Sequence, residues 1–139
     1  MNKILVVEDD LKVTSALRIR LEAAGYQVVT AGDGFSGLKM TMTHQPNLIL
    51  LDIMMPVGMG FSVAERLKDL GLGDIPIIFI TASKRAGLRK TAQQLGAAGF
   101  FEKPYDAGEL LSAIGLILGA AMPPGATELE VVPRLHPHL

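Results

Sequence analysis

The chain has no cysteine and no tryptophan, and no apolar run in its 139 residues approaches the length of a membrane span. Without cysteine it forms no disulfide and no thiolate metal site, which suits a reducing cytoplasm. Its 13 basic and 14 acidic side chains leave a formal net charge of -1, so no bulk charge favours nucleic acid or anionic lipid. We therefore expect a cytoplasmic protein that does not itself bind DNA or a membrane.

Proline is scarce until the C-terminal segment, which holds four of the eight prolines. Hydrophobic residues make up 49% of the chain and charged residues 19%, a composition typical of globular proteins. A single domain is expected over residues 1–120, and a proline-rich tail or linker stub over 121–139.

Five short apolar runs alternate with segments of helical spacing, which predicts an α/β fold. The runs are apolar on both faces, as is typical of parallel strands covered by helices on each side. Helices are expected from Asp10 to near Gly25, from about residue 34 to 44, over 61–70, over 84–95, and from Asp106 onward. Glu109 lies three residues after Asp106, in the spacing of a capping box.

Four of the apolar runs end at polar residues whose chemistry fits one site. The first run stops at Glu8 and Asp9, and the others stop at Asp52, Thr81 and Lys103. Because the carboxyl ends of parallel strands meet in a single crevice, these side chains are expected to lie together. Carboxylates, a hydroxyl and an ammonium are the parts of a cation-assisted phosphoryl site. Asp52 suits either a covalent nucleophile or a salt-bridge partner of Lys103, and spacing alone does not decide between them.

The order and spacing of four motifs carry a family resemblance. They are Leu5-Val6-Val7-Glu8-Asp9-Asp10, Leu50-Leu51-Asp52-Ile53-Met54-Met55-Pro56 with Gly60 downstream, Ile80-Thr81-Ala82, and Lys103-Pro104-Tyr105. With these motifs, residues 2–119 resemble the receiver domain of bacterial two-component response regulators, of the chemotaxis-regulator type. The resemblance implies a flavodoxin-like, doubly wound sheet of five parallel strands in the order 2-1-3-4-5, flanked by five helices.

The resemblance also implies a role for each acid. Asp52 would accept a phosphoryl group from a histidine kinase or a histidine phosphotransfer protein. Asp9, Asp52 and the Met54 carbonyl would bind Mg²⁺. Glu8 would lie nearby, joined through water, and Asp10 would not be a ligand. The chain would then be a signalling phosphoacceptor that catalyses only its own phosphorylation and dephosphorylation, not an enzyme acting on other substrates.

Signalling is expected to start from the same site. Thr81 and Lys103 would contact the phosphoryl oxygens, and Lys103–Pro104 would be a cis peptide. The added negative charge would pull on Thr81 while Phe100, which matches the family's switch aromatic, turns inward. The response is expected on the fourth helix, fifth strand and fifth helix, the face for an unknown downstream protein, an effector domain or a second copy.

Several positions depart from the family's pattern. Phe100 stands where many relatives have Tyr, so it can act only by packing. Met59 replaces a common acid, and Gly58 loosens the loop after Asp52. Ala113 replaces an arginine used by relatives that dimerise through the fourth and fifth helices, which argues against the winged-helix transcription-factor subclass.

Three other functions stay open at the level of the sequence. A receiver-like interaction module would never be phosphorylated, although the complete set of acids, hydroxyl and ammonium argues against it. A haloacid-dehalogenase-like phosphatase also uses Mg²⁺ and a strand-end aspartate, but needs a second Asp where this chain has Met54. A flavodoxin-like cofactor domain needs neutral donors where Glu8 and Asp9 would repel a phosphate.

Overall fold

The computed structural model describes residues 1–55 and 60–119. Strands and helices alternate throughout this part, which confirms the predicted α/β class. The elements are β1 (Lys3–Val7), α1 (Leu11–Ala23), β2 (Gln27–Ala31), α2 (Gly34–His44), β3 (Leu48–Asp52), α3 (Gly60–Asp69), β4 (Ile77–Thr81), α4 (Leu88–Gln94), β5 (Gly99–Glu102) and α5 (Ala107–Ile117). The predicted tail at 121–139, and the departures at Gly58 and Met59, lie outside the described residues.

The five strands form one parallel sheet in the order β2-β1-β3-β4-β5. This is the order that the family resemblance implies. In register, Asp52 of β3 lies opposite Ile80 of β4, and Thr81 of β4 lies opposite Glu102 of β5. The carboxyl ends of β1, β3, β4 and β5 therefore lie along one edge of the sheet, where the polar residues were expected to meet.

Helices cover both faces of the sheet, and alternate side chains of one strand enter two separate cores. Val7 packs in the core that contains Val63 of α3. Ile4, on the opposite face of β1, packs in the core that contains Leu21 of α1. All five residues of β3 are buried, as expected for a central strand between two layers of helices.

Three of the helices begin at an aspartate whose side chain accepts a hydrogen bond from the first turn. This arrangement is a favourable N-cap, because it satisfies an N–H that has no partner within the helix. The bonds run from Lys12 N to Asp10 Oδ1 (2.9 Å), from Ser36 N to Asp33 Oδ1 (2.8 Å) and from Glu109 N to Asp106 Oδ1 (2.9 Å). None of the helices in residues 1–55 and 60–119 has the length and apolarity needed to cross a membrane.

The fourth helix is shorter than the sequence predicts. It spans Leu88–Gln94, so the predicted helix is wrong over residues 84–87. Gly87, at the N-cap, has a φ of 88°, in the left-handed region that interrupts a right-handed helix. Before it, Arg85 N donates to Ser83 Oγ at 3.2 Å, which folds this segment into a separate turn.

Candidate functional site

The carboxyl ends of β1 and β3 bring three carboxylates together. Glu8 and Asp9 follow β1 directly, and Asp52 is the last residue of β3. One carboxylate oxygen from each lies within 4.8 Å of the other two. Glu8 and Asp52 are only 4% and 6% exposed, whereas Asp9 is exposed. The cluster therefore offers two enclosed oxygen donors and one that faces solvent.

Backbone hydrogen bonds fix Asp52 between its strand and the turn that follows. Ile53 N donates to Ile80 O at 2.9 Å, which continues the β3–β4 ladder past Asp52. Met54 N donates to Asp52 Oδ1 at 3.0 Å, so one carboxylate oxygen is held by the turn. The position of the carboxylate thus depends on the backbone of the two residues after the strand.

Asp10 has a different task from its two acidic neighbours. Its side chain caps α1, and its backbone N–H donates to Glu8 Oε2 at 3.1 Å. That hydrogen bond holds the Glu8 carboxylate from the side of the helix. Asp10 thus lies outside the group of three carboxylates, and its exclusion as a metal ligand stays a prediction.

Lys103 supplies the positive charge of the site. It follows β5, and its bond to Pro104 is cis, as the resemblance implies. Its Nζ lies 2.6 Å from Glu8 Oε1 and 3.3 Å from Asp52 Oδ2. Partial burial alone would lower the Lys103 pKa, but the hydrogen bond to Glu8 and the charges of Asp52 and Glu8 outweigh it, and the pKa is raised. The ammonium therefore stays protonated between two buried carboxylates.

Thr81 lies at the end of β4 with no exposed surface. Its Oγ1 accepts a hydrogen bond from Ser83 N at 3.0 Å, and its carbonyl accepts one from Lys103 N at 2.8 Å. The hydroxyl keeps its own hydrogen for donation, because accepting a bond uses only a lone pair. Thr81 and Lys103 are thus joined through the backbone, in addition to sharing one edge of the sheet.

Phe100 points into the protein and is only 1% exposed. The guanidinium carbon of Arg89, on α4, lies 5.0 Å from the centre of its ring, within the range of a cation–π contact. Arg89 also lies 3.7 Å from Glu102 Oε1, and Lys84 Nζ lies 3.0 Å from Glu102 Oε2. The ring is therefore linked through Arg89 of α4 to Glu102 of β5 and, through Glu102, to Lys84 in the turn after β4.

The whole arrangement was compared with known proteins. Residues 4–115 match the family described as the response regulator receiver domain. The chain belongs to this family. The transcriptional regulatory protein DltR of Streptococcus agalactiae is 40% identical over 114 residues, which are 82% of this chain and 50% of that protein. The DNA-binding dual master transcriptional regulator RpaA of Synechocystis is 36% identical over 119 residues, which are 85% of this chain and 49% of that protein.

Solved receiver structures agree with the fold described above. The chemotaxis protein CheY4 of Vibrio cholerae aligns with a TM-score of 0.78 and 27% identity, covering 84% of this chain and 98% of that one. The receiver domain described here spans about half the length of the curated relatives that it matches. Those relatives are named as transcriptional regulators. The expectation drawn from Ala113 stays a prediction.

Two contacts of the receiver domain were not predicted from the sequence. Lys103 was considered as a partner of Asp52, but its shorter contact is with Glu8. The stacking of Arg89 on Phe100 was not foreseen either. The sheet register gives a signal for the contact between Arg89 and Phe100. Glu102, next to Phe101 on β5, lies opposite Thr81, so its carboxylate can attract basic side chains from the segment after β4. The first depends on side-chain rotamers, for which the sequence holds no signal.

Proposed function

We propose that Asp52 of this receiver domain is the phosphoacceptor and that the donor is a histidine kinase or a histidine phosphotransfer protein. One observation carries the proposal. A carboxylate oxygen of Asp52 lies within 4.8 Å of carboxylate oxygens of Glu8 and Asp9, and Asp52 Oδ2 lies 3.3 Å from Lys103 Nζ. This set provides a nucleophile, oxygen donors for a hard cation and a positive charge for phosphoryl oxygens. The chain performs chemistry only on itself.

The donor set fits Mg²⁺, which takes oxygen ligands and keeps several waters. Asp9, Asp52 and the Met54 carbonyl would hold the ion, and Glu8 would be joined to it through water. Mg²⁺, when bound, supplies positive charge to the phosphoryl oxygens. The exposed Asp9 and the buried Glu8 and Asp52 are all carboxylates, with no softer donor among them, and this favours a hard cation over a transition metal.

In the transfer, a carboxylate oxygen of Asp52 forms a bond to phosphorus while the bond from phosphorus to the donor's imidazole nitrogen breaks. The electron pair of the broken bond stays on the imidazole, and Asp52 becomes an aspartyl phosphate. Attack by water on phosphorus later releases inorganic phosphate and restores the carboxylate. Lys103 and Thr81 stabilise both steps by donating hydrogen bonds to the phosphoryl oxygens.

The signal is proposed to leave the site through Thr81 and Phe100. A phosphoryl group adds negative charge and acceptor oxygens, which draw the Thr81 hydroxyl and the Lys103 ammonium toward Asp52. The burial of Phe100 and the charges around Arg89 then differ between the two states. We propose that α4, β5 and α5 bind an effector domain, a separate protein or a second copy.

The domain boundary and the cellular location of the protein belong to the same proposal. The signalling unit is proposed to be a domain over residues 1–120 in a cytoplasmic protein, in keeping with a chain that has no cysteine. Residues 121–139 would be a proline-rich tail or a linker to an effector.

A second candidate function is a receiver-like interaction module that works without phosphorylation. One observation favours it: Phe100 is already buried, with Arg89 on its ring, while Lys103 pairs with Glu8 and Asp52. Such a module would present one fixed face to its partner. An Mg²⁺-dependent phosphatase is less well supported, because Met54 stands where the second aspartate of those enzymes would be.

The deciding experiment is intact-mass analysis after incubation with acetyl phosphate and Mg²⁺. The native chain should gain one phosphoryl group, and Asp52→Asn should gain none. Asp33→Asn is the matched control, since it removes one carboxylate from a helix cap where Asn also serves. EDTA should abolish the adduct in the native chain. A folded native chain that gains no phosphoryl group would favour the interaction module instead.

A further inference from the structure

Gly60, the first residue of α3, lies directly against the backbone of Asp52. A Cβ built on it would lie 2.7 Å from the Asp52 carbonyl oxygen and 2.9 Å from the Ile53 Cα. Gly60 N also donates to Ile53 O at 3.0 Å, which ties the start of α3 to the end of β3. Contacts this short are not tolerated by a side chain, and both partners are backbone atoms that no rotamer change can move away.

We propose that Gly60 is a positioning residue for Asp52. Its missing side chain lets the first turn of α3 pack on the last residue of β3, and this packing fixes the peptide from which the Asp52 carboxylate projects. The inference rests on the proposed role of Asp52 as phosphoacceptor. It assigns to Gly60 a purpose in the chemistry of the site, beyond its place at the start of α3.

The rest of the surroundings leaves Asp52 little room to adjust. On the other side, Ile53 N donates to Ile80 O at 2.9 Å, so the ladder to β4 resists a shift away from Gly60. Ordinary contact begins at 3.4 Å, so a methyl group at 2.7 Å requires a displacement of roughly 0.7 Å between α3 and β3. Misplacing a reacting group by about 1 Å can slow a reaction on the order of a hundredfold.

Two other glycines serve as matched controls. A Cβ on Gly32 meets nothing within 4 Å, so Gly32→Ala tests the general effect of replacing a loop glycine. A Cβ on Gly73 meets Lys68 Cγ at 3.0 Å, near the opposite end of α3. Gly73→Ala therefore disturbs the same helix without touching Asp52.

The experiment compares Gly60→Ala, Gly73→Ala and Gly32→Ala in the full chain with acetyl phosphate and Mg²⁺. We expect Gly60→Ala to lower the rate of phosphorylation at least tenfold and both controls to stay within twofold of the native rate. Rates are measured on folded protein, at 10 °C with sucrose to stabilise the fold, after far-UV circular dichroism confirms native helix content. Mg²⁺ titration followed by the Met54 amide NMR signal gives a second measurement, in which Gly60→Ala should bind more weakly than both controls.

The outcomes separate this inference from the proposed function. If the native chain is not phosphorylated, the proposed function fails, and the Mg²⁺ titration still tests whether Gly60 positions Asp52. If Gly60→Ala is folded and matches the controls in both measurements, the inference is overturned. It is overturned as well if Gly60→Ala stays unfolded in sucrose, because the glycine would then serve the fold and not the site.

Discussion

At the scale of single residues, three consecutive acids after β1 have three different surroundings. Glu8 is buried against the Lys103 ammonium, Asp9 is exposed beside the Asp52 carboxylate, and Asp10 caps α1. The differences follow from the turn that joins the strand to the helix, which points each side chain in a new direction. Replacing each acid should therefore affect a different property of the protein.

Asp10 should contribute to stability and not to metal binding. We expect Asp10→Ala to lower the free energy of unfolding by about 1 kcal/mol, because the N–H groups at the start of α1 lose their acceptor. Asp10→Asn should lower the free energy of unfolding by only about a few tenths of a kcal/mol, since Asn is an equally good cap. Urea denaturation measures both. The Mg²⁺ affinity of Asp10→Asn should match the native value, whereas Asp9→Asn should weaken it; equal losses in the two variants would contradict the assignment.

Lys103 should stabilise the protein most in the absence of metal. Lys103→Met keeps much of the side-chain volume but leaves Glu8 and Asp52 without a cation, so we expect the free energy of unfolding to fall by about 1–3 kcal/mol in EDTA. Mg²⁺ would replace part of the lost charge. At a Mg²⁺ concentration of about ten times the dissociation constant, the free energy of unfolding should therefore recover by about 1.4 kcal/mol. Urea denaturation with and without Mg²⁺ tests this. Lys12→Met, on the exposed side of α1, is the control, and a loss of the same size there would refute the charge argument.

Most of the site could be predicted at this scale, because residue type and strand ends were enough. Asp52, Glu8, Asp9 and Lys103 meet where the parallel sheet was expected to bring them. Which carboxylate lies closest to Lys103 could not be predicted, since that depends on differences of less than 1 Å between rotamers. The individual roles in phosphorylation and metal binding, including that of the Met54 carbonyl, stay predictions.

At the scale of elements, the charged surface between α4 and β5 is the feature that the sequence did not reveal. Glu102, at the end of β5, pairs with Lys84 in the turn after β4 and with Arg89 on α4. Because Arg89 also stacks on Phe100, the carboxylate at the surface is joined to a buried ring through one side chain. A movement of the ring would therefore change the charge distribution on the proposed output face.

The pKa of Glu102 should report on this cluster. Its pKa is lowered, mainly by the hydrogen bond and charge of Lys84, with a smaller effect from Arg89. In the unfolded chain Glu ionises at about pH 4.3. Folding thus favours the charged form, and the small stabilisation is present above that pH and lost as the pH falls through the lower folded value. NMR titration of the Glu102 carboxyl should show the lowered pKa, and Lys84→Ala should raise it; Lys90→Ala, at an exposed position on α4, should not.

Strands and helices were predicted best where the local sequence signal is strong. Apolar runs located the strands, and the aspartates at positions 10 and 106 located two helix starts. The start of α4 was misplaced because Lys84 to Ala86 are acceptable helix residues, and only the left-handed backbone of Gly87 separates them from the helix. Glycine permits that conformation without requiring it, so the sequence alone did not fix the boundary.

At the scale of the whole molecule, the described residues form one sheet with a hydrophobic core on each face. The core beneath α2, α3 and α4 and the core beneath α1 and α5 draw their buried side chains from Ile4 through Ile114. Leu110 and Ile114 of α5 complete the second core, where both are almost fully buried. The fold is therefore expected to need α5.

Truncation tests this expectation and the proposed domain boundary together. A chain that ends at Gly119 should keep its free energy of unfolding within about 0.5 kcal/mol of the full chain, because it retains every side chain that residues 1–55 and 60–119 bury in the two cores. A chain that ends at Glu109 loses Leu110 and Ile114, at a cost of several kcal/mol, and should not fold. Urea denaturation followed by circular dichroism distinguishes the two. A loss well above 1 kcal/mol in the longer truncation would mean that residues 120–139 contribute to the domain, and the boundary near residue 120 would then be wrong.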